Sequence, residues 1–260
     1  MMIRRFCIPL LLAASLFAGE VSPDGAKLAE RFCAMDVEHH WLPGHRLADW
    51  RTGDPSPRRG STHCSAFLAA ACERIGVDML HPPEHGENYL ATAQAEWLRQ
   101  EGPRHGWSPV ASPFLAQDLA NRGQVVVVLY PSPDPARSGH AALVLACTKS
   151  EAQLDADGPQ IIQAGAQNAS STTVREGFRH HRGAWVSGHQ YRVLFFSCAP
   201  LLPDGPVGGR GGGALGGGVR LAPVHRDVID RPGVAESGAH GEQKEGEEEQ
   251  QADHGGSLQR

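Results

Sequence analysis

The spacing of apolar residues changes once along this chain, and that change limits the possible folds more than any other feature. Before Gly123 the apolar residues recur at helical intervals, as in Leu28, Phe32 and Met35. After Gly123 the pattern changes to continuous apolar runs, of which 124–130 is rich in β-branched residues. Helices followed by strands with short connections are typical of an α+β domain. We therefore expect N-terminal helices to cover one face of an antiparallel sheet of about four to six strands.

Local signals place the individual elements within this layout. Helices are predicted to start at Ser22-Pro23, near Ser61, near Asn88 and at Ser112-Pro113, a helical turn is predicted at 173–178, and strands at 124–130, 139–147, 160–164 and 189–198. Within the helix that follows Ser112, Leu115 and Leu119 are expected to point inward. Trp41 and Trp50, on the irregular segment before the second helix, are predicted to pin that segment to the core.

The N-terminal residues resemble a targeting segment rather than part of the fold. Arg4 and Arg5 precede an apolar run at 6–18, which is too short to span a bilayer and is followed by small residues. This pattern predicts a secretory signal peptide at 1–19. It predicts a secreted or periplasmic protein with no stable membrane anchor after cleavage.

The C-terminal segment, 201–260, differs from the middle of the chain in the opposite way. It contains a glycine tract at 208–218 and an acidic, glutamine-rich run at 242–253. Such a composition buries too little apolar surface to offset the entropy of ordering it, so a disordered tail is predicted. Residues 20–200 then remain as one domain.

Charge and metal-ligand patterns exclude some classes of function. The net charge of −5 and the pI near 6.3 give no sign of a nucleic-acid surface. The chain has 14 histidines but neither a His-Glu-x-x-His motif nor paired Cys-x-x-Cys motifs, so we predict no metal and no cofactor. With Cys7 in the predicted signal peptide, an odd number of cysteines remains, and at least one thiol is free or pairs between chains.

Cys64 is the candidate nucleophile. The pattern from Ser61 to Gly76 predicts a helix capped by Ser61 or Thr62, with Gly76 as its left-handed C-terminal cap. Cys64 then lies in the first turn, where unpaired N–H groups and the helix dipole are expected to lower its pKa. The alternative is a small core residue or one half of a disulfide.

A cysteine nucleophile requires a base, and the base requires a group that orients it. His140 opens a predicted strand and is the candidate base, with His63 as the alternative. Gln163 lies on the next strand, where its amide is expected to hold the imidazole on the side opposite Ile162. Asn168, in the segment after that strand, is the competing candidate.

These residues occur in an order that resembles the papain-like, NlpC-type cell-wall peptidases, and the CHAP-type amidases share it. The matching motifs, within 61–164, are His63-Cys64-Ser65-Ala66 for Asp-Cys-Ser-Gly, Gly123-Gln124-Val125-Val126-Val127 for Gly-Asp-Leu plus apolar residues, His140-Ala141-Ala142-Leu143-Val144 for a His-Val-Gly-Ile-Tyr-like strand, and Ile162-Gln163-Ala164 for an Ile-His-Ala-like strand. His63 replaces the usual acidic residue and Gln163 the usual histidine, and the upstream oxyanion-binding aromatic has no clear match.

The resemblance implies a papain-like fold and an acyl-enzyme mechanism on Cys64, with peptide or peptidoglycan stem peptides as substrate. Two other functions stay open at this stage. One is a secreted binding or scaffold domain that keeps the fold without turnover. The other is an acyltransferase that passes the acyl group to an amine or alcohol.

Overall fold

The structure, a computed structural model, describes residues 19–86 and 89–200. The predicted C-terminal tail and, apart from Gly19, the predicted signal peptide lie outside these ranges. The described residues form an α+β fold, as predicted, with a six-stranded antiparallel sheet and two small two-stranded sheets. None of the described helices is long and apolar enough to cross a membrane.

Helices and strands alternate more than the sequence pattern predicts. The helices are α1 Pro23–Cys33, α2 Cys64–Arg74, α3 Leu90–Gln100, α4 Pro113–Asn121, α5 Glu151–Asp157 and α6 Val174–Gly177, with a 3-10 turn at Gly102–His105. The strands are β1 His45–Asp49, β2 Asp54–Arg59, β3 Ser108–Val110, β4 Val125–Tyr130, β5 His140–Val144, β6 Gln160–Gln163, β7 Ala169–Thr173, β8 Trp185–Ser187, β9 Gln190–Tyr191 and β10 Leu194–Cys198.

The main sheet has the order β3-β10-β4-β5-β6-β7 and is antiparallel throughout. β4 lies in its interior, and every residue of β4 is buried. β4 and β5 pair antiparallel, as their short connection predicts, and Tyr130 lies opposite His140 at the end of this pair. The expected strand number, antiparallel pairing and interior position of β4 are therefore confirmed.

The expectation that helices cover only one face of the sheet is wrong. One face packs against α1, α2 and α3, and we call it the thiol face because Cys64 lies there. The other face packs against α4 and α6, and we call it the imidazole face because the His140 ring contacts Phe178 there. The apolar run of β4 has no polar break, so its alternating side chains bury both faces.

Several local predictions are confirmed and others are wrong. Ser22 and Ser112 cap α1 and α4 through their side chains. Leu115 is 41% exposed rather than inward, because Ala116 and Ala120 form the buried stripe of α4. The predicted strand at 189–198 is divided into β9 and β10.

The two tryptophans lie where the sequence places them. Trp41 and Trp50 are both buried in the cluster that contains α2, as predicted. The Trp41 Nε1–H donates to the Trp50 carbonyl at 2.9 Å, which closes the irregular segment on itself. The short strands β1 and β2 lie in the same segment and were not predicted.

Candidate active site

Cys64 is the first residue of α2, and α2 packs directly on β5. Every residue of α2 from Cys64 to Cys72 is buried, and the four alanines among them leave room for a close approach to the strand. Gly76, at φ +73°, ends the helix as predicted. The predicted caps are wrong, because His63 occupies the N-cap position and makes no side-chain cap.

The Cys64 sulfur lies among backbone amides. The backbone amides of Ala141, Ser65 and Cys64 and the Ser65 hydroxyl lie close enough to favour the thiolate and so act to lower the pKa of Cys64. Ala141 follows His140 on β5, so the sulfur meets the backbone of the strand that carries the candidate base. In the described part of the chain the His140 ring is not among the hydrogen-bond partners of the sulfur.

Burial raises the pKa of the Cys64 thiol, and the amide hydrogen bonds only partly offset this. The expected lowering of this pKa is therefore wrong. The helix start supplies the predicted N–H groups, but the side chain is only 6% exposed, and the loss of water outweighs them. The resting thiol is protonated at neutral pH.

Gln94 ties the start of α2 to the rest of the fold. Its side chain is fully buried, and its Nε2 donates to the carbonyls of Ser65 at 3.0 Å and Leu80 at 2.9 Å. This contact holds the first turn of α2 beside α3. No sequence signal predicts this contact, because Gln94 lies on a helix with no motif around it.

His140 and Gln163 form a buried hydrogen bond of 2.9 Å between Nε2 and Oε1. The Gln163 Nε2 donates to the Gln167 carbonyl at 3.1 Å, which leaves Oε1 as the acceptor toward the imidazole. The neutral imidazole of His140 therefore carries its hydrogen on Nε2, and Nδ1 has a free lone pair. An orienting group and a basic nitrogen are the two requirements of a general base.

The His140 ring is confined on several sides. Phe178 meets it edge to face, with ring centroids 4.6 Å apart. A side chain at Gly165 would place its Cβ 3.0 Å from Cε1 of the ring. Burial lowers the pKa of His140, and the hydrogen bond that the ring donates to Gln163 raises it by less, so the ring is neutral at neutral pH.

Asn168, the competing candidate, does not contact His140 in this structure. Its Oδ1 accepts from Gly165 N–H at 2.9 Å, and its Nδ2 donates to the Val37 carbonyl at 2.6 Å and the His40 carbonyl at 2.9 Å. These bonds join the loop after β6 to the segment after α1. The contact with the imidazole belongs to Gln163, on the side opposite Ile162, which packs on the thiol face.

His63, the alternative base, is held elsewhere. It is buried, and its Nε2 lies 2.6 Å from the His45 carbonyl on β1. A carbonyl oxygen can only accept a hydrogen bond, so Nε2 of His63 carries the hydrogen. This contact fastens β1 to the residue before α2.

His181 adds to the site and was not predicted. Its ring stacks on His140, with centroids 5.4 Å apart and an interplanar angle of 13°. Burial and the nearby positive groups of His140, His180 and Arg137 lower the pKa of His181 to about 4. The histidine cluster at 180–181 is visible in the sequence, but nothing there places it beside β5.

Gly177 also supports the site from a distance in sequence. A Cβ at this position would overlap Oε1 of Gln163 and would lie 2.8 Å from Cδ1 of Ile161. The glycine thus makes room for the amide that holds His140. The sequence shows Gly177 only as part of a predicted helical turn.

The described residues contain no group of three or more His, Cys, Asp or Glu side chains arranged to hold a metal ion. Their cysteines, Cys33, Cys64, Cys72, Cys147 and Cys198, are all unpaired thiols. Comparison with protein-family models gives no match, and comparison with curated proteins gives none either.

Proposed function

We propose that this protein is a papain-like thiol hydrolase that cleaves amide bonds through an acyl-enzyme on Cys64. The observation that carries the proposal is the hydrogen bond between His140 and Gln163, which leaves Nδ1 of a buried neutral imidazole free to take a proton. Cys64 lies against the backbone of Ala141, the residue that follows His140 on β5. Support for the pairing of thiol and base comes from the packing of α2, which carries Cys64, on β5, which carries His140.

The mechanism starts from a neutral thiol and a neutral imidazole. As the Cys64 sulfur attacks the substrate carbonyl carbon, its proton moves to Nδ1 of His140, and the carbonyl oxygen becomes an oxyanion. The backbone N–H groups of Cys64 and Ser65, at the start of α2, are the proposed oxyanion donors. The C–N bond then breaks, and His140 passes its proton to the leaving amine.

The acyl-enzyme is released by water in the second half of the reaction. His140 Nδ1 takes a proton from water, whose oxygen attacks the thioester carbonyl. The C–S bond breaks, the product acid leaves, and the proton returns to the Cys64 sulfur. Gln163 keeps the imidazole in the same tautomer throughout, and as a neutral amide it stabilises the imidazolium less than a carboxylate would.

Peptides are the proposed substrate class, with peptidoglycan stem peptides as the specific proposal. Support for this comes from the motif resemblance and from the predicted signal peptide, which would bring the domain to a secreted or periplasmic location. The buried polar site of Gln163 and His140 serves acyl transfer in general and does not select among amides.

A second candidate, a binding or scaffold domain without turnover, is favoured by one observation. Cys64 and His140 are each only 6% exposed, and burial keeps the thiol protonated. A site that once turned over substrate and then closed would have the same appearance.

The test is hydrolysis of a fluorogenic peptide library by the full chain and by Cys64→Ala. We expect a loss of at least about a thousandfold in kcat/KM for Cys64→Ala, because no other group replaces the nucleophile. Cys33→Ala is the matched control, since Cys33 is an exposed free thiol. Equal activity of Cys64→Ala and wild type, or no hydrolysis by wild type, would contradict the proposal. Added amine distinguishes hydrolysis from acyl transfer, because only transfer yields a new amide.

A further inference from the structure

A cavity of about 730 Å³ opens on the imidazole face at the end of β4 and β5. Its walls carry Arg137, Arg182 and Arg192 together with His180 and His181. The guanidinium group of arginine remains charged at physiological pH, so these three side chains give the cavity a positive potential. Such a cavity favours an anionic occupant.

Within the described residues, the three arginines of the cavity wall form no ion pair that would cancel their charge. Across 19–86 and 89–200, none of the three lies within ion-pair distance of a carboxylate. Asp134 is the one acidic residue on the cavity wall, and its carboxylate accepts from the Ala136 N–H at 2.9 Å. The three arginines of the cavity wall are therefore available to a ligand.

Hydrogen bonds fix the backbone of the segments that carry two of the cavity arginines, Arg182 and Arg192. The Tyr130 hydroxyl donates to the Arg182 carbonyl at 3.3 Å, which joins the loop that carries Arg182 to the end of β4. Arg192 N–H donates to the Ala184 carbonyl at 3.1 Å. The Arg192 side chain passes over Gly183, where a Cβ would lie 3.5 Å from its Nε. Two of the arginines thus start from positions set by the sheet and its loops.

The cavity adjoins the candidate active site. His181 belongs to the cavity wall and also stacks on His140. Tyr130 lines the cavity and lies opposite His140 in the sheet, and Ser138 lines it two residues before His140. A ligand in the cavity is therefore separated from the candidate base by a single aromatic ring.

We propose that this cavity is a subsite that binds a carboxylate of the peptide substrate beside His181 and His140. The inference rests on the proposed hydrolase function and adds the chemical class of the substrate, an acidic peptide. Guanidinium groups match a carboxylate through two parallel N–H···O bonds, which lysine or histidine cannot provide. A carboxylate bound beside His181 would lie near His140, the candidate base, with the His181 ring between them.

The test measures binding separately from catalysis. The full chain carrying Cys64→Ala is titrated with acetyl-Ala-Glu-Glu-Ala-amide and, as the neutral match, acetyl-Ala-Gln-Gln-Ala-amide, by calorimetry. We expect the acidic peptide to bind about tenfold or more tightly than the neutral one. Adding Arg192→Gln or Arg182→Gln should remove about tenfold of that affinity and leave the neutral peptide unchanged. Arg175→Gln, an exposed arginine on α6 outside the cavity, is the matched control.

A second readout detects occupancy of the cavity directly. A carboxylate bound beside His181 stabilises its imidazolium, so the NMR titration of His181 should move to higher pH with the acidic peptide and stay in place with the neutral one. Equal affinity for the two peptides, or full affinity in the arginine variants, would overturn the subsite. Saturation of the cavity by inorganic phosphate at lower concentration than the acidic peptide would also overturn it, by assigning the cavity to phosphate.

The two proposals fail in different ways. If wild type hydrolyses neutral peptides but Arg192→Gln leaves kcat/KM for acidic peptides unchanged, the subsite is wrong and the hydrolase stands. If acidic peptides bind as expected but no peptide is cleaved by wild type, the hydrolase is wrong and the acidic-ligand cavity stands.

Discussion

The two faces of the central sheet carry different kinds of side chains. The thiol face is apolar and rich in alanine, and Cys64 lies there as the first residue of α2. The imidazole face carries a buried polar pair, His140 and Gln163, and a positively charged cavity beside it. Substitutions can therefore alter the candidate nucleophile and the candidate base separately.

On both faces, burial nevertheless favours the neutral form of the titratable group. Burial raises the pKa of Cys64 and lowers the pKa of His140, so each group rests in its neutral form. In the proposed mechanism, proton transfer therefore accompanies attack by the thiol. We then expect the residues that orient Nδ1 to contribute more to catalysis than residues that would acidify the thiol.

The largest expected effect is a difference in activity between alanine variants of two buried cysteines on α2. Cys64→Ala should abolish peptide hydrolysis, whereas Cys72→Ala should keep full activity and lose about 1 kcal/mol of unfolding free energy, because it leaves a small cavity on the thiol face. Steady-state kinetics and urea unfolding of both variants measure this contrast. Loss of activity in both variants at equal stability would show that the comparison between the cysteines is wrong.

The next effect separates the two amides that competed for the imidazole. Gln163→Ala should raise the activation free energy by about 1–3 kcal/mol with a smaller change in unfolding free energy, since it removes the bond that orients His140. Gln163→His, which restores the residue usual in the resembled family, should keep more activity than Gln163→Ala.

Asn168→Ala is the structural counterpart of that variant. It removes the bonds to the carbonyls of Val37 and His40, so it should lower the unfolding free energy by about 1–3 kcal/mol. Its kcat should change little at a temperature where it stays folded. A crippled kcat in Asn168→Ala beside a silent Gln163→Ala would reassign the orienting role to the loop.

A smaller effect tests whether the imidazole face acts through position. Gly177→Ala places a Cβ on Oε1 of Gln163, so the amide must move and kcat should fall by about tenfold with KM little changed. Gly86→Ala is the matched control, because no heavy atom lies within 4 Å of the added Cβ. An unchanged rate–pH profile and kcat in Gly177→Ala would show that the amide position is not critical.

The smallest effect concerns stability in acid. The pKa of His181 is about 4 in the folded protein against an ordinary value of 6.5, so the unfolded chain binds more protons between these pH values. His181 therefore contributes full stability above pH 6.5 and loses it as the pH falls through about 4. His181→Gln should show a smaller drop in Tm between pH 7 and pH 4 than wild type. An identical drop would assign the acid sensitivity to other groups.

Local patterns in the sequence account for much of the frame around the site. Ser22 and Ser112 before prolines predict the helix starts, and the β-branched run at 124–130 predicts an interior strand. These predictions hold because capping bonds and side-chain alternation depend on residues that are close in the chain. The placement of Cys64 at a helix start and of His140 at a strand start follows from the same local signals.

The tertiary structure determined the burial, the neighbours and the charge environment of those residues. The sequence predicts the helix N–H groups around Cys64 but not the burial that raises its pKa, because desolvation comes from β5 and α3, which lie far along the chain. The stack of His181 on His140, the space left by Gly177 for Gln163 and the gathering of Arg137, Arg182 and Arg192 likewise join distant segments. Solvation and charge depend on the sum of such contacts, so only the folded chain determined them.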